Sequence, residues 1–155
     1  MPEPMTLHRD TDAAPDRVWA ALTDIEHAEE NLSAVTRIER LTDGPYRIGT
    51  RWRETRTMLG KSETQEMEVV ALEALGMTQI RSVSEGAEYT TTFTLTARHP
   101  GTTLTMAFEG VPDQDASGLK RLANKVMAPL GARVERKAVE SDLDDIVAAA
   151  ERVQE

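Results

Sequence analysis

The chain of 155 residues contains no cysteine, and two each of Trp, Tyr and Phe are its whole aromatic content. Without cysteine there are no disulfides, zinc–thiolate sites or thiol nucleophiles, and nothing depends on an oxidising compartment. No window approaches the roughly 18 apolar residues that span a bilayer, so membrane insertion is not expected. The opening MPEPMTLHRD lacks a basic stretch followed by an apolar run, so a cytoplasmic location is expected over secretion. Positive charge is also short: the net charge of -9 repels phosphate backbones and anionic headgroups, which disfavours nucleic acid as a partner. Methionine is comparatively plentiful, at seven residues, and gives the apolar surface a flexible, polarizable share.

The length suits a single domain over residues 1–155, large enough for a core without staples. Met5 to Thr11 reads as a short strand. Pro15 at a first helical position, Asp16 beside the positive helix start, and Val18, Leu22 and Ile25 at helical spacing predict a helix from Pro15 to Thr23. Asp24 is placed to cap a second short helix through IEHAEENL. From there turn signals recur at Asp43-Gly44-Pro45, Gly60-Lys61, Gly76, Glu85-Gly86 and Pro100-Gly101. They separate six predicted strands: Thr36 to Leu41, Thr50 to Met58, Ser62 to Glu73, Met77 to Ser84, Ala87 to Ala97 and Thr102 to Glu109. Short connections make these an antiparallel meander, and the first strand can close one edge.

AEYTTTFTLTA alternates most cleanly, with Tyr89, Thr91, Phe93 and Leu95 on one face and threonines on the other. A sheet with one apolar face needs a cover, and the amphipathic stretch from about Asp115 to Val153 is long enough to supply it. Pro129 should kink or break that helix. Asp142, Asp144 and Asp145 are expected on its solvated side. The expected fold is therefore α+β: a curved seven-stranded antiparallel sheet around a long C-terminal helix, with two short helices after the first strand. Where sheet and helix part, a cavity forms.

In GTRWRETRTM, period two turns Trp52, Glu54, Arg56 and Met58 to one face and Arg51, Arg53, Thr55 and Thr57 to the other. An acid and a base between an indole and a thioether are costly to bury unless paired or wetted, which a polar patch of cavity wall would allow. Trp52, Met58, Tyr89, Phe93, Met106 and Phe108 are the expected walls of a ligand site, and Glu54 with Arg56 its polar anchor. Arg56 would offer a forked donor to a carboxylate or enolate, and Glu54 would accept from a hydroxyl. An edge ion pair, or an inverted register, is the competing reading.

Glu66 and Glu68 share a face about 7 Å apart, but the alternation puts Met67 and Val69 in the core and both glutamates in solvent. His27 and Glu30 could share one side of a helix. No third ligand accompanies them, His8 and His99 lie far along the chain, and no metal or other cofactor is expected. There is no glycine-flanked serine elbow and no phosphate-cradling loop.

AAPDRVWAALTDIEHA, the run SAVTRIERLTDGPYRIGTRWRETRTMLGKSETQEMEV and YTTTFTLTARHPGTTLTMAFEG together resemble the SRPBCC superfamily, also called START-like or birch-pollen-allergen-like. The likeness is to its polyketide cyclase/dehydrase branch and covers about Leu7 to Ala150. It implies the helix-grip fold and a cavity. Many members resemble Pro-Glu-Trp after the first helix, where this chain has Glu29-Glu30-Asn31. The resemblance leaves three activities open. One is binding of a hydrophobic small molecule, lipid- or polyketide-like. Another is polyketide cyclase or dehydratase chemistry, with Glu54 taking a proton and Arg56 or Tyr89 stabilising an enolate. The last is a co-chaperone-like interaction module presenting Arg51 and Arg53. A monomer or weak homodimer is expected.

Overall fold

The computed structural model describes residues 5–58, 60–84, 87–111 and 136–152. Strand β1 (Met5–Thr11) leads into helices α1 (Pro15–Leu22) and α2 (Ala28–Asn31). Six strands follow: β2 (Val35–Arg40), β3 (Arg51–Met58), β4 (Lys61–Glu73), β5 (Met77–Ser84), β6 (Ala87–Ala97) and β7 (Thr102–Val111). Residues 136–152 are helical and form α3. The predicted break at Pro129 lies outside the described residues.

One antiparallel sheet has the order β1-β7-β6-β5-β4-β3-β2, so the meander runs strand by strand and β1 caps it beside β7. The two edge strands are thus consecutive strands in sequence. Their connection must run from one edge of the sheet to the other, and α1 and α2 occupy it, α1 against β6 and β7 and α2 against β2. Pro15 opens α1 with Asp16 in its first turn, and Val18 is fully buried. The second helix starts at Ala28 rather than Ile25. Asp24 instead closes the preceding turn, its Oδ1 accepting from the His27 N–H at 3.2 Å.

Period-two alternation sets the inner face: Trp52, Met67, Ile80, Phe93, Leu104 and Met106 are all buried. The long strand β4 departs from strict alternation at a bulge between Val69 and Ala71. Up to Val70, which is 37% exposed beside the fully buried Val69, the alternation holds; the extra residue then resets the phase, so that Leu72 and not Ala71 packs against the core. At the β6–β7 turn Gly101 takes φ 97°, and a Cβ there would collide with the Thr11 and Asp12 backbone, so only glycine fits.

Helix α3 presents Val139, Leu143, Ile146 and Ala150 to the sheet. At its polar margins Arg9 Nε donates to Asp144 at 2.8 Å, Thr11 Oγ1 donates to Glu151 at 2.9 Å, and the Ser33 N–H and hydroxyl both donate to Asp145 at 2.8 Å. The exposed Arg9–Asp144 ion pair contributes about 0–1 kcal/mol and each hydrogen bond about 0.5–1.5 kcal/mol, whereas burying one Leu side chain contributes about 1.5–3 kcal/mol. The apolar stripe therefore holds the helix, and the margin contacts set its orientation.

Candidate functional site

Sheet, α1–α2 segment and α3 are not in contact everywhere. Between them the described residues line a cavity of about 280 Å³. Protein interiors are close-packed, so a void of this size is a built feature and not slack in the core.

Its walls are mainly apolar. Trp52, Phe93, Met106 and Phe108 line it from the sheet, with Val139 and Ile146 from α3. Tyr89 lines it too, its ring stacked on Phe108 with centroids 5.2 Å apart. Glu54 and Arg56 also reach it, so seven of the eight residues singled out in the sequence lie on this surface. Met58 ends β3, and its side chain lies outside the described residues.

Glu54, Arg56 and Asp142 form a trio in a wall that Asp24 and Glu63 also line. Glu54 and Arg56 stand two apart on β3, and Arg56 Nε donates to Glu54 Oε2 at 2.6 Å. Arg56 Nη1 and Nη2 donate to Asp142 Oδ1 and Oδ2 at 3.0 and 2.8 Å, a fork-to-fork pair across sheet and helix. Trp52 Nε1 makes a longer contact of 3.4 Å to Glu54 Oε1. Glu54 and Asp142 are each 5% exposed. Burial pushes the Asp142 carboxyl above its ordinary value, with Glu54 and Asp145 adding to the shift and Arg56 only partly opposing it. Burial also works against the Arg56 charge, but Asp142 and Glu54 together outweigh it and raise the guanidinium pKa further.

Asp142 corrects the expectation of a solvated aspartate. Its position is three after Val139 and four before Ile146, which puts it within the apolar stripe of α3. That spacing was the available signal, hidden by the neighbouring acids Asp144 and Asp145. In the trio three of the five Arg56 N–H groups donate to protein carboxylates, which leaves one on Nη1 and one on Nη2 for a ligand.

Three further polar groups on this wall carry little sequence signal. Tyr46, in the β2–β3 connection, shares a 2.7 Å hydrogen bond with Thr78, and burial raises its pKa to about 12. Ser82 and Thr91 line the cavity at 2% and 7% exposure, and neither hydroxyl has a partner among the described residues. Asn31 also lines the cavity, its side-chain carbonyl accepting from Arg152 at 3.2 Å.

Elsewhere the sheet's outer face neutralises itself. Arg51 pairs with Glu66 at 2.7 Å and Arg53 with Glu39 at 3.6 Å, so Glu66 and Glu68 stand outside, away from the cavity. His27 Nδ1 lies 2.7 Å from Asp24. Among the described residues no three His, Cys, Asp or Glu side chains converge as metal ligands, and no helix is long and apolar enough to cross a membrane.

A curved antiparallel sheet gripping a C-terminal helix over a cavity defines the helix-grip class, as in the crystal structure of Ara h 8.0201, with 14% identity, a TM-score of 0.68 and coverage of 95% of this chain and 96% of that one. Residues 5–151 match the model described as "Polyketide cyclase / dehydrase and lipid transport", and the chain belongs to that family. It is similar in structure to TTHA0849 from Thermus thermophilus, with a TM-score of 0.81, 18% identity and coverage of 98% and 99% of the two chains. It is also similar to the Zhui aromatase/cyclase from Streptomyces sp. R1128, with a TM-score of 0.77, 15% identity and coverage of 98% and 95%. None of the curated proteins matches the sequence.

Proposed function

We propose that the protein is a binding protein for a small hydrophobic molecule, held between sheet and helix with its apolar body against Trp52, Phe93, Met106 and Phe108. The observation that carries this reading is the cavity of about 280 Å³ with a buried charged trio in its wall. Ligand sites are typically concave, mainly apolar and supplied with a few convergent polar groups, with volumes of about 300–1,000 Å³. This cavity lies just below that range, which suits a compact ring system better than a long-chain diacyl lipid. The protein acts as a single cytoplasmic domain, monomeric or weakly dimeric, on a small molecule and not on nucleic acid. Native mass spectrometry and ligand-detected NMR against lipid and aromatic polyketide panels test the reading. Retention of a compact hydrophobic compound at one-to-one stoichiometry supports it, and failure of every compound to bind overturns it.

Catalysis in the same cavity is the second reading, favoured by one observation. Glu54 and Asp142 flank Arg56, and burial pushes the Asp142 carboxyl above its ordinary value, in a pair of carboxyls that could serve as acid and base. The likeness to the Zhui aromatase/cyclase supports a cyclase or dehydratase in outline, with proton transfer by the carboxyls. Turnover of a poly-β-ketone that is lost in both Glu54→Gln and Asp142→Asn would establish it. Unchanged turnover in both would remove it. The outer face offers nothing comparable for an interaction module, because Arg51 and Arg53 are paired within the sheet.

A further inference from the structure

The trio is unbalanced: two carboxylates share one guanidinium, and no other cation touches Glu54 or Asp142 among the described residues. Asp142 has both oxygens engaged by Arg56. Glu54 is less well served, because Oε2 receives Arg56 Nε at 2.6 Å while Oε1 has only the 3.4 Å contact from the Trp52 indole. A carboxylate oxygen accepts more than one hydrogen bond, so Glu54 presents unused acceptor capacity to the cavity. A second feature points to a guest as well. Ser82 and Thr91 are buried residues on the same wall whose hydroxyls have no described partner and remain accessible from the cavity, where a guest can meet them.

These two features are separated in a defined way. Trp52 is in register with Met67, and Met67 with Ser82, so Ser82 stands two strands over and two residues along from Glu54, a separation of about 12 Å. Between them the wall is Met67 with Gln65, the register partner of Glu54, and Ile80 beside them.

We propose that this cavity selects a cationic amphiphile: a protonated amine on a compact apolar body, its ammonium donating to Glu54 beside Arg56 and any polar group at its far end meeting Ser82 and Thr91. The inference rests on the binding reading above and assigns that site its ligand class. An ammonium brings the missing positive charge into a low-dielectric wall where two carboxylates face one guanidinium. A carboxylate brings a third negative charge to the same place, where two protein carboxylates already outnumber Arg56. An alcohol donates one hydrogen bond without charge and falls between.

Isothermal titration calorimetry at pH 7 with 2-(2-naphthyl)ethylamine, 2-(2-naphthyl)ethanol and 2-naphthylacetate tests this, since the three share one ring system and differ in head group. The expected order is amine, alcohol, carboxylate, with the amine at least about tenfold tighter than the carboxylate, one factor of ten being about 1.4 kcal/mol. Glu54→Gln should bring the amine and alcohol to within about threefold of each other while retaining the alcohol. Asp142→Asn, checked for native circular dichroism, should narrow the gap in the same direction. Equal or tighter binding of the carboxylate overturns the inference and leaves the binding reading intact. An amine preference that survives in both variants overturns the ammonium's placement at Glu54. No heat with any of the three, where the wider panel does bind, overturns the ligand class alone; no binding by either set overturns both readings.

Discussion

Arg56 and Asp142 are 86 positions apart and form a two-bond pair, 3.0 and 2.8 Å, that joins β3 to the final helix at the cavity wall. The cavity and the helix are therefore coupled through one guanidinium. What disturbs that group should be felt both in stability and in the site.

Arg56→Ala leaves Glu54 and Asp142 buried without their counter-charge and should destabilise the protein by about 3–5 kcal/mol. The triple replacement Glu54→Leu, Arg56→Met, Asp142→Leu removes all three charges together and should cost far less, from neutral to stabilising. Urea midpoints of the two variants against wild type check the contrast. A triple variant as unstable as Arg56→Ala would show that the trio's packing, and not its charge, is what matters.

Asp142 also makes a pH prediction. Its folded pKa is raised above the ordinary value of 3.8, chiefly by burial, so the folded state binds this proton more tightly than the unfolded chain does. The stability linked to that proton is full below pH 3.8 and is lost as pH rises through the higher folded value. Asp142→Asn cannot titrate there. The difference in unfolding free energy, wild type minus Asp142→Asn, should therefore fall as pH rises from about 4 toward neutrality, and a difference that grows over that range contradicts the assignment.

Tyr46 should resist ionisation. Burial raises its phenol to about 12, although the hydrogen bond with Thr78 works the other way. Its linked contribution is full below about pH 10 and is lost as pH rises through about 12. Ultraviolet phenolate titration should show this tyrosine ionising late, an absorbance step that Tyr46→Phe removes. The same variant should lose about 1 kcal/mol for the hydrogen bond.

On the exposed surface, the Asp24 carboxylate raises the His27 pKa above 6.5 by hydrogen bonding and charge. Any stability from this pair is present below pH 6.5 and fades as pH rises through the raised value. An NMR titration of the His27 ring should move downward in Asp24→Asn, and an unmoved midpoint would rule out the contact in solution.

Leu143→Ala would open a hole in the fully buried stripe of α3 and should cost about 2–5 kcal/mol. Its effect should exceed that of Asp144→Ala, which removes only an exposed contact to Arg9 and should stay below about 1 kcal/mol. Thermal or urea unfolding of the pair orders the two effects.

Strand positions were legible because their causes are local. Glycine and proline turns bracket the runs, and alternation alone assigns Trp52, Glu54 and Phe93 to the inner face. The bulge at Val70 was not legible, since consecutive valines fit either phase of an alternating strand. Asp142 was half legible: helical spacing put it in the apolar stripe, yet an aspartate there is costly without a partner, and the partner lies on a distant strand.

By itself the sequence determined the order of elements, the inner face of each strand and the presence of an acid and a base on one of those faces, because such features follow from backbone periodicity and turn chemistry over a few residues. Only the tertiary structure decided that Arg56 is paired with two carboxylates, that Asp142 leaves the trio one negative charge in excess, and that Ser82 and Thr91 face the same hollow. Those outcomes depend on which side chains a curved sheet and a helix bring within hydrogen-bonding reach of each other, and charge balance in a buried site is set by that proximity and not by position along the chain.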